Sequence, residues 1–190
     1  MNNPFDTYQD DAELKVLLDV VRDLKPKSVL EIGSMFGGTL WHWMQLAAPE
    51  AEIVSIDLLV PTHDSRYSIQ KECHDKTWFE WAKQFNVHLT VFEKPSNQIL
   101  VDELSKFGPF DFIFIDGDHT EPAVRYDYEL SKQVIAPTNS IIAFHDIAFN
   151  LGSEHYGVAP VWNEVKQQYD SNYTEIISTH GQNGIGYIKL

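Results

Sequence analysis

Two segments end apolar runs in acids and imidazoles: Phe110-Asp111-Phe112-Ile113-Phe114-Ile115-Asp116-Gly117-Asp118-His119-Thr120 and Ile141-Ile142-Ala143-Phe144-His145-Asp146-Ile147. Charged groups seldom close buried strands without a task. If the two runs are neighbouring strands, about 4.8 Å apart, Asp116 and Asp146 converge on one ion or one hydroxyl. Imidazole beside such a pair can move a proton, so His119, Asp116 and His145 are the expected catalytic groups. The same cluster offers Asp116, His145 and Asp146 as ligands for a divalent metal. Mg²⁺ prefers oxygen, and a His/Asp mixture moves the preference toward Mn²⁺, Fe²⁺ or Zn²⁺. In a regular strand His145 and Asp146 face opposite sides, so both reach one ion only where the strand has already ended. A metal-free site held by hydrogen bonds is the competing reading.

A second cluster lies upstream. The strand-like Ser28-Val29-Leu30-Glu31-Ile32 runs into Gly33-Ser34-Met35-Phe36-Gly37-Gly38-Thr39, and Ile53-Val54-Ser55-Ile56-Asp57 follows one βα unit later. In a doubly wound sheet this sets a side-chain-free turn and a carboxylate side by side at the carboxyl edge, where ribose hydroxyls can lie on Asp57. A dinucleotide fingerprint would need G-x-G-x-x-G, with the pyrophosphate on the next helix N-terminus. Here Ser34 replaces the second glycine and Glu31 adds a charge that repels a pyrophosphate. A ribose, a zwitterionic amino-acid tail and a sulfonium cation suit that cradle better, which describes S-adenosylmethionine. Expected cofactor contacts are Glu31, Gly33, Ser34, Gly37, Gly38, Thr39 and Asp57, with Asp116 at the same edge.

Positioning these groups takes an alternating α/β chain. Apolar residues at helical spacing in 12–24 predict a covering helix stopped by Pro26, within an N-terminal region 1–26. Apolar, β-branched strands are expected at 28–32, 53–56, 88–92, 110–115 and 140–144. Helices are expected at 39–48, 68–84, 97–107, 121–135 and 160–169, giving a parallel, doubly wound, Rossmann-like sheet with helices on both faces. Strands at 174–178 and 184–189, joined by a turn-rich connection, predict a closing antiparallel hairpin. The 190 residues read as one domain, 1–190.

A net charge of −14, spread along the chain, excludes a basic footprint for nucleic acid or an anionic membrane surface. Cys73 alone supports no disulfide framework, the first residues lack a signal-peptide pattern, and no apolar run approaches the ~18 residues of a membrane span. A cytoplasmic protein with a small-molecule substrate is expected, with no nucleic-acid or membrane partner.

The E-x-G-x-x-x-G-G turn with its acidic second-strand end resembles motifs I and II of the class I methyltransferases. IDGDHT, the helix around Tyr126-Asp127-Tyr128-Glu129-Leu130, FHDI and Gly184-Ile185-Gly186-Tyr187 resemble the branch containing cephalosporin-hydroxylase-like proteins and metal-dependent sugar O-methyltransferases. The resemblance implies five parallel strands plus the hairpin in the order 3-2-1-4-5-7-6. It also implies Asp116 and Asp146 on the metal and His119 as general base. His145 departs from the family, which has an acid there. A third-strand aspartate usually faces adenine; this chain has Phe92-Glu93-Lys94-Pro95-Ser96, so Glu93 or Ser96 stands in, Ser96 equally as a helix cap.

The expected activity is S-adenosylmethionine-dependent O-methyl transfer to a small hydroxylated acceptor, such as a sugar, with metal assistance. A metal-dependent oxygenase or hydrolase using the His/Asp cluster, and a non-catalytic cofactor-binding module, remain as alternatives. Segments 63–78 and 149–158 are the available covers for the acceptor, and a second copy of the chain could supply more. Trp78, Phe79, Trp81 and Phe85 read as the buried side of one helix, Trp162 as core, and His155-Tyr156 as a substrate contact.

Overall fold

The computed structural model describes residue 7 and residues 9–58, 74–148, 156–179 and 183–190. Its strands are β1 (Ser28–Ile32), β2 (Glu52–Asp57), β3 (His88–Glu93), β4 (Phe112–Ile115), β5 (Ile141–His145), β6 (Tyr173–Ile176) and β7 (Ile185–Lys189). They form one sheet in the order β3-β2-β1-β4-β5-β7-β6. Strands β1 to β5 are mutually parallel, and β7 runs antiparallel to both β5 and β6. This is the architecture expected from the sequence.

The helices are α1 (Asp11–Leu24), α2 (Gly38–Leu46), α3 (Phe79–Phe85), α4 (Val101–Leu104), α5 (Glu121–Val134) and α6 (Val158–Lys166). Central strands read as continuous apolar runs because both faces are covered. Val29, Ile53, Phe112 and Phe114 pack with α1, α2 and α3 through Leu17, Trp43 and Trp81. Leu30, Val54, Ile113 and Phe144 pack with α5 and α6 through Val124, Tyr128, Val161 and Trp162. Asp10 caps α1 by accepting the N–H groups of Ala12 and Glu13. No helix among the described residues is long and apolar enough to cross a membrane.

Local differences have local causes. The helix expected over 97–107 is a 3₁₀ turn, Ser96–Gln98, followed by the single turn α4. Ile99 between them is extended and buried, so packing its side chain interrupts the helix. Of the expected 68–84 helix, the described part is a π turn, His74–Trp78, followed by α3. Trp78 and Trp81 are buried but Phe79 is exposed, because positions 78, 81, 82 and 85 share one stripe and 79 lies off it. Of the expected covers 63–78 and 149–158, residues 63–73 and 149–155, His155 among them, lie outside the described residues. Asn139 takes the left-handed conformation expected of it, with φ 54°. Trp162 is core, fully buried against Phe144.

Candidate active site

The carboxyl ends of β1, β2 and β4 are held together at the glycine turn. Gly33 donates its N–H to Ile56 O and Asp116 donates to Ile32 O, each at 2.8 Å. Gly33 has φ +87°, and a Cβ there would stand 2.1 Å from the Asp116 carbonyl oxygen, so only glycine fits. Asp57 Oδ2 accepts the backbone N–H groups of Ser34 and Met35, both at 2.8 Å, which ties the second strand end to the turn.

Glu31 is an internal brace. Fully buried, it accepts Trp43 Nε1–H at 2.6 Å and the Ser34 hydroxyl. Burial pushes its carboxyl up to about 7, against the opposing hydrogen bonds from Ser34, Thr39 and Trp43.

Four titratable side chains meet at the ends of β4 and β5. His119 Nε2 lies 3.0 Å from Asp146 Oδ2 and 3.4 Å from Asp116 Oδ1. His145 Nδ1 lies 3.3 Å from each of the same two oxygens. The strand ends at His145, and Asp146 takes φ 63°, which breaks the in-out alternation and turns both side chains toward one point. Hydrogen bonds to Asp116 and Asp146 push His119 up to about 9 although burial opposes the charge. Burial opposes protonation of His145 too, but the charge of Asp116 prevails and raises it. Its Nε2 is buried without a hydrogen-bond partner, which favours placing the shared positive charge on His119. Burial would raise Asp146, yet the two imidazoles hold it well below the usual carboxylate range.

Neighbouring segments lock this cluster. The His119 ring stacks on Tyr156 at 5.4 Å between centroids and 17° between planes. Gly157 N–H donates to His119 O at 2.7 Å. Gln9 Nε2 donates to Asp116 Oδ2 at 2.6 Å, bringing the N-terminal segment into the site.

One cavity of about 890 Å³ runs along the carboxyl edge from the end of β3 to the end of β5. That volume suits a cofactor together with a small acceptor. Gly33, Ser34, Gly38, Thr39, Asp57, Ser96, Asp116, His119, His145 and Asp146, all expected site residues, line it. Glu31, Gly37 and Glu93 are not part of this lining. Glu31 is turned inward, and Gly37 is closed off by Trp78, whose Nε1 a Cβ there would meet at 2.3 Å. Asp116, His119 and Asp146 offer ligand atoms all within 4.8 Å of one another, so a metal-capable trio includes His119 where the sequence pointed to His145.

Sequence reasoning missed three residues. Glu13, fully buried on α1, accepts the N–H groups of Ser178 at 2.8 Å and Gly184 at 3.0 Å, fixing the chain beside the cavity-lining Asn183. Asp127 is buried on α5 and lines the cavity. Both acids interrupt an apolar helical stripe, Glu13 with Leu17 and Val21, Asp127 with Val124, Leu130 and Val134, and that interruption was the available signal. Gln9 carries no such mark, because its contact comes from a residue 107 positions away.

Residues 30–147, well over half of the chain, match a family described as a methyltransferase domain. The chain belongs to this family. Among solved structures, a protein from Klebsiella pneumoniae superposes with a TM-score of 0.66 at 18% identity, over 97% of this chain and 84% of that one. TomG from Streptomyces achromogenes, an O-methyltransferase of tomaymycin synthesis in complex with S-adenosylmethionine, gives 0.63 at 16% identity, over 93% and 79%. An O-methyltransferase from Bacillus cereus in complex with S-adenosylhomocysteine gives 0.60 at 16% identity, over 97% and 84%. At these identities the likeness is one of fold, and the methyltransferase domain here has the expected class I strand order.

Proposed function

We propose that this methyltransferase domain transfers the methyl group of S-adenosylmethionine to an oxygen of a small hydroxylated acceptor, with a divalent cation assisting. The observation that carries the reading is the shared cavity: Asp57 and the Gly33 turn at one part of its rim, the Asp116–His119–His145–Asp146 cluster at another. Asp57 and the turn bind the nucleoside, and the acidic edge at Asp116 favours the cationic sulfonium side.

Asp116 and Asp146 fit a divalent cation, since each presents an oxygen to the same point and His145 Nδ1 would supply nitrogen there, leaving His119 Nε2 for the proton. When bound, such a cation lowers the pKa of a hydroxyl as a Lewis acid. His119 takes the acceptor proton at Nε2 as the new oxygen–carbon bond forms and the carbon–sulfur bond breaks, its electron pair remaining on sulfur. Tyr156 and the Gly157 hydrogen bond hold the imidazole for that task. Asp146 stabilises the imidazolium that results, and its 3.0 Å contact with Nε2 makes it the nearer of the two acids. Positioning the oxygen behind the methyl carbon falls to the remaining wall, including Gln9, Tyr156 and Asn183.

Titration calorimetry with S-adenosylmethionine and NAD, each with and without Mn²⁺, tests this reading. Binding of S-adenosylmethionine and not NAD, with a separate Mn²⁺ isotherm, is expected. Preference for NAD removes the proposal.

A further inference from the structure

Asp127 sits in the second turn of α5, 1% exposed, and lines the cavity. Its side chain hydrogen-bonds with Ser96, the first residue of the turn after β3. Its other oxygen, Oδ1, is buried and has no hydrogen-bond partner. A buried carboxylate oxygen left unpaired costs on the order of 1–3 kcal/mol. Nothing in the catalytic cluster uses this group.

Strand order says what would meet it. Along the edge, β3, β2, β1, β4 and β5 follow one another. The ribose site, Asp57, ends β2, and the reacting cluster ends β4 and β5. A nucleoside with its ribose on Asp57 and its sulfonium toward Asp116 directs its base the other way, toward the turn after β3. There the lining is Lys94, Pro95, Ser96, Asn97 and, from below, Asp127. Gly117 packs closely beside Asp127, since a Cβ on it would meet Ile32 Cγ2 at 3.2 Å and Asp127 Oδ2 at 3.4 Å.

We infer that Asp127 is the base-reading residue of the site, its unpaired Oδ1 accepting a hydrogen bond from the exocyclic 6-amino group of adenine. The inference rests on the S-adenosylmethionine reading and deepens it. It assigns the adenine contact to α5 in place of the strand-3 end, where Glu93 is not part of the cavity lining. The position is chemically suited: burial pushes the Asp127 carboxyl up to about 7, so it exists near neutrality in both forms. The ionised form accepts from the amine, and the protonated form can also donate to adenine N1.

The test is a cycle of two ligands and three proteins. S-adenosylhomocysteine and its analogue lacking the 6-amino group are titrated calorimetrically into wild type, Asp127→Asn and Asp127→Leu, with thermal melting checking each fold. Wild type should prefer the amino compound by about tenfold, the worth of one hydrogen bond to a charged acceptor. Asp127→Asn, which keeps an acceptor oxygen, should retain most of that preference, and Asp127→Leu should abolish it. Because the ratio is taken within each protein, a general loosening of the site cancels. A preference that survives unchanged in Asp127→Leu overturns the assignment and makes Asp127 a strut between α5 and Ser96. If a variant fails to fold, the wild-type ratio still decides, since equal affinity for the two ligands also overturns it. Failure of wild type to bind either ligand removes the cofactor reading as well.

Discussion

His119 and His145 address the same two carboxylate oxygens, Asp116 Oδ1 and Asp146 Oδ2, at distances between 3.0 and 3.4 Å. Two acids and two bases sharing one space titrate together, and a change at any of them shifts the others. This coupling governs the first two predictions.

With no divalent cation present, His119 carries its proton at neutral pH, because Asp116 and Asp146 raise it to about 9. A base must be deprotonated, so the rate of methyl transfer in chelator should rise with pH and level off near 9. Asp146→Asn removes one of the two charges and should move that limb to lower pH. His119→Ala should lower turnover by about 10²- to 10⁴-fold and remove the limb. A large loss in His145→Ala with little in His119→Ala would transfer the role.

Asp116→Asn should weaken Mn²⁺ binding, followed by electron paramagnetic resonance of the free ion, while leaving affinity for S-adenosylhomocysteine, which carries no sulfonium charge, little changed. His119→Ala separates two uses of one nitrogen. Unchanged Mn²⁺ affinity fits a base beside the metal, whereas a marked loss would make His119 the third ligand of the trio. Transfer that continues undiminished after exhaustive chelation removes the metal from the mechanism.

Asp57→Ala should weaken cofactor binding by about 1.5–3 kcal/mol, as for hydrogen bonds to a charged group. The structure adds a second cost, because Asp57 Oδ2 also holds the Ser34 and Met35 N–H groups and the turn loosens without it. Asp57→Asn keeps an acceptor and should fall between wild type and alanine. Equal calorimetric affinity in all three proteins would contradict the ribose assignment.

Glu31 links the turn to stability. Its folded-state pKa, about 7, lies above its ordinary value of 4.5, so the folded protein binds the proton more tightly. Stability from this group is fully present below about 4.5 and is lost as pH rises through 7, a change of about 3 kcal/mol at most. Glu31→Gln keeps an acceptor for Trp43 and should flatten that slope in thermal melts between pH 4.5 and 8. An identical slope in both proteins would show that Glu31 ionises freely when folded.

The strand order was implied by the family resemblance; the strand segments, the glycine turn, Asp57 and the acids closing β4 and β5 were legible in the residues themselves. Each depends on residues near in the chain: apolar runs of strand length, a turn that only glycine fits, a charge one residue past a buried strand. Tertiary structure decided what depends on distant partners. It turned Glu31 into a buried brace because Trp43 and Ser34 close over it, and seated Gln9 on Asp116 from across the chain. It drew His119 into the metal-capable trio, and left Asp127 facing the cavity with an oxygen unpaired. Local sterics and burial periodicity are written into short stretches of sequence, whereas the partner of a polar side chain is settled only when the fold brings remote segments within hydrogen-bond reach.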